Sequence, residues 1–310
     1  MRALVIREGG ELVVEERPDP VPGDGEVAIE VAAAGLNGAD QLQRLGLYPA
    51  PAGTVQDVPG LELAGTVLST GHGFSEGDRV MAVVPGGAQA SRICVPAAEL
   101  LPVPEGLSWA EAGGFPEVFT TAHDALVTQA KLASGDRLYV SGGAGGVGTA
   151  AVQLGVALGA EVIASVRNEA MRPAVAALGA TAIDPAEAAE HGPYDVVLEL
   201  VGGPDLEAVI PALSPFARCV VIGVAAGAKA SVNLLAIMGA RATLTGSTLR
   251  ARGAAEKAEV AAHVREQVLP LLNSGAIKVP VEASFPLEQA EAAYERFAAG
   301  GKLGKVVLLP

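Results

Sequence analysis

At 310 residues, half of them hydrophobic and 18% charged, the chain has length for two packed domains and too much apolar content to be disordered. Its 35 acidic residues outnumber 21 basic ones, giving a net charge of −14. With no basic cluster to offset that charge, electrostatic attraction to nucleic acid or an anionic membrane has no basis, and any anionic cofactor must be held locally by backbone N–H groups and a few placed cations.

The opening Met1–Ile6 reaches Arg7 and Glu8 too soon for a signal peptide, and Cys94 and Cys219 have no metal or redox spacing, so a reducing cytoplasmic setting is expected. The first third predicts short strands at Ala3–Ile6, Leu12–Glu15, Val27–Ala32, Gly65–Ser69 and Arg79–Val83, divided by turn clusters such as Pro18–Gly23 and Glu76–Asp78. Ser108-Trp109-Ala110-Glu111 has capping-box spacing and opens a helical region. From Arg137 the pattern alternates. Strands are predicted at Leu138–Ser141, Glu161–Val166, Ala182–Ile183, Asp195–Val201, Cys219–Val224 and Thr243–Gly246, most of them linked by helices, as in a doubly wound parallel sheet. The uncharged run from Leu138 to Ala160 contains glycines, Ser141, Thr149 and Gln153, and reads as a buried βα unit rather than a membrane span. A long amphipathic helix over Glu256–Leu272 precedes β character at Val279–Phe285, a helix over Leu287–Ala298 and a last strand at Lys305–Leu309. The chain is therefore α/β, with a nucleotide-binding domain inserted between an N-terminal domain and a returning C-terminal segment. Cofactor and substrate should meet in the cleft between them.

The most specific local signal is Ser141–Gly148, where Gly143, Gly145 and Gly148 have the spacing G-x-G-x-x-G between a strand and an Ala/Val/Leu helix. Such glycines permit a tight turn, backbone approach to a pyrophosphate and close helix–strand packing, while the first helical residues, Gly146 and Val147, present N–H groups to the anion. A glycine-rich turn in an ordinary βα unit is the alternative. The second strand ends Ser165-Val166-Arg167-Asn168 without the carboxylate that binds an adenosine ribose, and Ser165 and Arg167, with Arg172 one turn on, suit a 2′-phosphate instead. The expected cofactor is NADPH (NADP+); the other role open to Arg167 is that of a solvated loop cation, and Glu169 reads as a water-facing residue of a first helical turn. Gly223 and Val224, at the end of the fifth strand, lie where open α/β sheets bind ligands, and Lys302 in a glycine-rich loop could reach the cofactor or face water.

Further segments, in order and nearly end to end, resemble one family. Ala34-Gly35-Leu36-Asn37-Gly38-Ala39-Asp40 with Arg44–Pro49, Pro59–Gly65, Glu76–Val80, Pro116–Ala122, Asp195–Glu199 and Gly304–Leu308 are similar to landmarks of the zinc-independent quinone oxidoreductases, the zeta-crystallin-like branch of the medium-chain dehydrogenase/reductase superfamily. The resemblance implies a GroES-like β-rich catalytic domain over residues 1–118 and 266–310 and a Rossmann NADP(H)-binding domain over 119–265. It places Asn37 beside the nicotinamide, Tyr48 at the substrate mouth and Thr121 against the nicotinamide half, and it suggests a homodimer formed by edge strands near Thr243–Thr248. Zinc-dependent relatives carry a His before Glu62 and a Cys near Asn37; here stand Leu61 and Asn37, two cysteines cannot build a four-cysteine zinc lobe, and His72, His123, His191 and His263 have no ligand spacing. The Lys and Tyr with which family members often hold the 2′-phosphate are replaced by Met171 and Pro185.

Read without the family, Asn37 could simply cap the helix from Gly38, Tyr48 could be a packed loop aromatic and Thr121 could bond its own helix backbone. Asp40 reads as serving its local helix, His123 as structural within a helix, and Cys94 as a small hydrophobe in a strand. The expected activity is NADPH-dependent reduction of a small quinone without metal or flavin, since a quinone accepts hydride without a Lewis acid. The alternatives are an NADPH-dependent enoyl or alkenal reductase, for which Tyr48 is the candidate proton donor, and a non-catalytic NADPH-binding sensor.

Overall fold

The structure, a computed structural model, describes residues 1–310. Strands β1 (Arg2–Ile6) and β2 (Leu12–Glu16) form an antiparallel ribbon. Strand β3 (Glu26–Gly35) alternates buried and partly exposed residues over its first half, as a strand with one covered face must, then buries Ala33, Ala34 and Gly35 in succession. That change marks where the strand passes beneath the rest of the molecule. Helix α1 (Gly38–Arg44) follows, then β4 (Glu62–Val67), β5 (Arg79–Val83), β6 (Arg92–Pro96), which contains Cys94, and the two-residue β7 (Leu101–Pro102). Helix α2 (Trp109–Gly113) opens on the expected capping box: Ser108 Oγ accepts from Glu111 N, and Glu111 Oε2 accepts from Ser108 N. Helix α3 (Pro116–His123) then widens into a π-type turn over Asp124–Gln129, with Ala130 N donating to Ala125 O five residues back.

The alternating region comprises β8 (Arg137–Val140), α4 (Gly146–Ala157), β9 (Glu161–Ser165), α5 (Arg172–Ala176), β10 (Thr181–Ile183), β11 (Tyr194–Glu199), α6 (Pro204–Val209), β12 (Leu213–Val221), α7 (Leu234–Ala240) and β13 (Thr243–Gly246). After it come α8 (Ala254–Gln267), α9 (Leu269–Asn273), β14 (Val281–Pro286), α10 (Ala290–Ala298) and β15 (Lys305–Leu309). The single helix expected over Glu256–Leu272 divides at Val268, because Pro270 has no N–H for the ladder and its ring crowds the preceding turn. The fifth strand of the parallel sheet runs over Leu213–Val221 rather than Cys219–Val224, so Gly223 and Val224 lie just beyond its end.

Strands β8 to β13 pair in parallel in the order β10-β9-β8-β11-β12-β13, the doubly wound arrangement whose winding reverses between β8 and β11. The other sheet has the order β14-β15-β3-β4-β5-β7, with β6 also on β3, so both ends of the chain build a β-rich unit around it. One apolar core joins the two: Ala64, Met81 and Leu101 from the mixed sheet meet Leu138, Val140 and Val196 of the parallel one around Phe115, Val118, Phe119 and Ala122. Helix α3 is buried along nearly its whole length and is the shared wall of both units. The segment after β13 crosses back: the buried Arg250 guanidinium donates to Pro85 O (2.7 Å), Tyr48 O (3.1 Å) and Gln43 Oε1 (2.5 Å), and Arg252 binds Asp124 through two nitrogens (3.0 and 2.7 Å). No helix is long and apolar enough to cross a membrane.

Candidate active site

The three loop glycines have separable roles. A Cβ at Gly143 would lie 2.8 Å from Ala164 Cβ of β9, and one at Gly148 would lie 2.3 Å from Gly142 O, so neither position admits a side chain. A Cβ at Gly145 would meet only Gly142 O at 3.4 Å; its side is open. Gly145 precedes α4 as an N-cap with no side chain, so the N–H groups of the first turn, at Gly146, Val147 and Gly148, are left for an anion outside the chain. At the switch point, Glu199 at the tip of β11 is fully buried and accepts from Ser141 Oγ (2.6 Å), Val201 N and Gly202 N (both 2.7 Å), tying the ends of β8 and β11 together. The loop thus has the shape for a pyrophosphate.

At the tip of β9, Ser165 is buried and accepts from Gly142 N at 3.4 Å, whereas Arg167 is exposed and in no ion pair. Arg172 is occupied: its Nε donates to Val166 O at 3.1 Å and its guanidinium pairs with Asp184. Lys302 turns from the crevice, donating to Phe297 O at 3.0 Å and lying 4.2 Å from that ring's centre. Its loop nevertheless passes over the glycine loop, where Gly304 N donates to Ala144 O. Gly223 sits so close to β11 that a Cβ would lie 2.5 Å from Leu200 O, and Val224 beside it is exposed.

The candidate catalytic side is built on a polar cluster buried between the sheets. Lys305, the first residue of β15, is 2% exposed and its ammonium donates to Leu36 O (2.7 Å), Asn37 Oδ1 (2.7 Å) and Glu62 Oε1 (2.5 Å). Asn37 Nδ2 donates to Glu62 Oε1 at 2.9 Å, and Glu117 N donates to Glu62 Oε2 at 2.9 Å. Glycines make the space: a Cβ at Gly35 would be 2.3 Å from Glu62 Oε1, while Gly114 and Gly146 lie against the Lys305 methylenes. Asn37 does precede α1, yet its side chain serves Glu62 and Lys305; the cap comes from Asp40, whose Oδ2 accepts from Asn37 N and whose Oδ1 accepts from Gly60 N. Thr121 Oγ1 donates to the Glu117 side chain at 3.0 Å rather than to backbone. Burial pushes Asp40 up to about 6, and burial together with the charge of Glu62 pushes Glu117 up to about 7.

Tyr48 stands apart from that cluster, on the loop after α1. Its hydroxyl shares a 3.3 Å hydrogen bond with Thr248 Oγ1, and the Arg250 guanidinium lies 5.1 Å from its ring centre. His123 is buried with Nε2 3.0 Å from Gln267 Oε1, in keeping with a structural role. Glu62, Glu117, Glu199, Arg250 and Lys305 were not singled out as site residues from sequence. The available signal was a lone charge amid apolar neighbours, as in Leu61-Glu62-Leu63 and Lys305-Val306-Val307, since an unpaired charge is almost never buried.

Relatives with zinc raise the question of a metal here. The positions of interest hold an amide, a leucine, and a carboxylate already bonded to an ammonium; the nearby Asp40 is taken up by two backbone N–H groups, and no group of three His, Cys, Asp or Glu is arranged to hold a metal ion. This donor set does not fit a catalytic zinc.

Comparison with known proteins agrees with this architecture. Residues 23–131 match the family model described as an alcohol dehydrogenase GroES-like domain, and residues 158–308 match the one described as a zinc-binding dehydrogenase. The quinone oxidoreductase from Thermus thermophilus, solved also in complex with NADPH, is 35% identical and aligns over 100% of both chains with a TM-score of 0.87. The human synaptic vesicle membrane protein VAT-1 homolog is 28% identical over 100% of this chain and 86% of its own length. The CurK enoyl reductase is 26% identical, covering 99% of this chain and 98% of its own, with a TM-score of 0.84. Fold and loop together define an NAD(P)-dependent oxidoreductase. The chain belongs to the medium-chain dehydrogenase/reductase superfamily.

Proposed function

We propose that this enzyme is an NADPH-dependent quinone reductase of the zinc-independent branch, transferring hydride to a small quinone without metal or flavin. The observation that carries the reading is the Lys305–Glu62–Asn37 cluster: where a metal-dependent relative would need ligands, this chain has placed its own cation. With no Lewis acid to polarise an alcohol or aldehyde, the natural acceptor is one already electrophilic.

NADPH, when bound, supplies the hydride. The open side of Gly145 and the N–H groups at Gly146 and Val147 take its pyrophosphate; Ser165 and the free Arg167 take the 2′-phosphate. Asn37, rigidly held, and Thr121 flank the nicotinamide end, Gly223 and Val224 offer backbone beside it, and Tyr48 lines the mouth. Arg172 and Lys302 act through packing, being already bonded within the chain. The same reading includes a cytoplasmic homodimer. Edge strand β13 pairs only with β12, Leu244 on it is exposed, and so are Leu234, Leu235 and Met238 on the preceding α7.

Chelator-treated enzyme should oxidise NADPH in the presence of small quinones, more slowly with NADH, and added zinc should leave the rate unchanged. Absence of turnover across a broad quinone panel, or a rate restored only by zinc, would overturn the reading. The likeness to an enoyl reductase supports a second acceptor class, a C=C bond conjugated to a carbonyl, and turnover of an enal against a quinone separates the two. Tight NADPH binding with neither turnover would point to a sensor.

A further inference from the structure

Hydride alone turns a quinone or an enone into an anion, and the product requires a proton. Asp40, Glu62, Glu117 and Lys305 are the titratable groups that meet around Asn37, and they are not equivalent. Glu62 is saturated by Asn37, Lys305 and the Glu117 backbone. Asp40 is sealed, with backbone N–H groups of Asn37 and Gly60 on its two oxygens. Glu117 is only partly exposed, yet it is open: Thr121 Oγ1 holds Oε1 at 3.0 Å, while Oε2 receives no hydrogen bond from the chain. It sits on the first turn of α3, where the next residue, Val118, abuts Gly146 at the start of the glycine-loop helix.

We propose that Glu117 is the proton donor to the reduced acceptor, releasing the proton on Oε2 while Thr121 fixes Oε1. This rests on the reductase reading above and assigns to that site a residue and a step. When hydride has been delivered from bound NADPH, the acceptor carries a new bond to hydrogen and an excess negative charge. The Glu117 O–H bond then breaks, a bond from that proton to the acceptor anion forms, and Glu117 is left as a carboxylate that Thr121 stabilises. Water returns a proton to Oε2, so one NADPH and one H⁺ are consumed per acceptor reduced.

The surroundings explain why this carboxyl keeps a proton near neutrality. Glu62 of β4 and Asp40 of α1 disfavour its charge, Lys305 of β15 and Thr121 of its own helix favour it, and burial outweighs them all, setting it at about 7. A donor poised near the working pH is what general acid catalysis requires.

The test uses whole enzyme and two readouts. Infrared titration of the cofactor-free protein should show, beside the Asp40 band that vanishes near pH 6 in every variant, a second protonated-carboxyl band with a midpoint near pH 7, absent in Glu117→Gln and shifted to higher pH in Thr121→Val. With one quinone or enone, wild-type kcat should fall above that midpoint. Glu117→Gln should lose roughly 100-fold at pH 6 and show no such limb, with NADPH affinity by fluorescence unchanged, while Glu117→Asp restores the limb. The proposal is overturned if that second band survives in Glu117→Gln, or if an active Glu117→Gln enzyme keeps the wild-type alkaline limb. Failure of wild-type enzyme to reduce any acceptor overturns the reductase reading and this proposal with it, an outcome distinct from turnover with an unaltered profile.

Discussion

At the chemical end of the crevice every polar side-chain atom of Asn37, Glu62 and Lys305 has a partner inside the chain, whereas at the tip of β9 Arg167 projects into solvent with no ion pair. The first region is completed by folding. Burying a carboxylate and an ammonium is costly unless both are paired and their remaining hydrogen-bonding capacity is filled, and the backbone of Leu36 and Glu117 fills it here. The second region is left open by folding, and on the proposed reading it is finished by a ligand, the hydrated guanidinium exchanging water for a phosphate. On the proposed reading, precision at the reacting carbon and selectivity for the cofactor come from different physics: preorganisation on one side, complementary charge on the other.

That contrast can be broken by substitution, beginning where the energy is largest. Lys305→Met strands Glu62 without its counter-ion and should cost about 3–5 kcal/mol in urea unfolding, and adding Glu62→Gln should recover part of that loss. A loss below about 1 kcal/mol would show that the cluster is not the rigid element described. Next is pH. The folded-state value for Glu117, about 7, lies above the ordinary 4.5, so its contribution to stability is complete below about 4.5 and is lost as pH rises through 7. Wild type should therefore lose on the order of 2 kcal/mol more than Glu117→Gln between pH 4.5 and pH 8 in denaturant titrations. Arg167→Ala should weaken NADPH binding by about 1.5 kcal/mol, roughly tenfold by fluorescence titration, and leave NADH binding and the unfolding midpoint in place. Smallest is Arg172→Ala. It removes a partly exposed pair with Asp184, so stability should change by less than about 1 kcal/mol and NADPH affinity very little.

The cofactor end was the more legible from sequence because its determinants are local. Gly143, Gly145 and Gly148 act within one turn, and Ser165 and Arg167 follow a strand whose place is set by the alternation around it. The buried cluster is non-local. Lys305 comes from the end of the chain, Glu62 and Asn37 from its first third and Glu117 from α3, so their meeting depends on β15 pairing with β3. The charge at Glu62 could be noticed among leucines, yet nothing along the chain named its partner. Asn37 shows the same limit, since its position fits a helix cap and only the fold reveals that its amide is turned toward Glu62. Val268 is the simplest case: a continuous apolar period concealed the break that Pro270 imposes.

The segment after β13 has a kinetic consequence. Arg250 fastens it to α1 and to the loops after α1 and β5 through three hydrogen bonds, and Arg252 fastens it to Asp124 at the end of α3. Swinging the two units apart would tear the Arg250 guanidinium from all three of its partners. Tyr48, by contrast, is linked to Thr248 by one 3.3 Å hydrogen bond at the rim. If Tyr48 lines the mouth as proposed, the cheapest passage for an acceptor is rotation of that one aromatic side chain, on a nanosecond scale for a partly exposed residue, rather than the microsecond-to-millisecond hinge motion of whole domains.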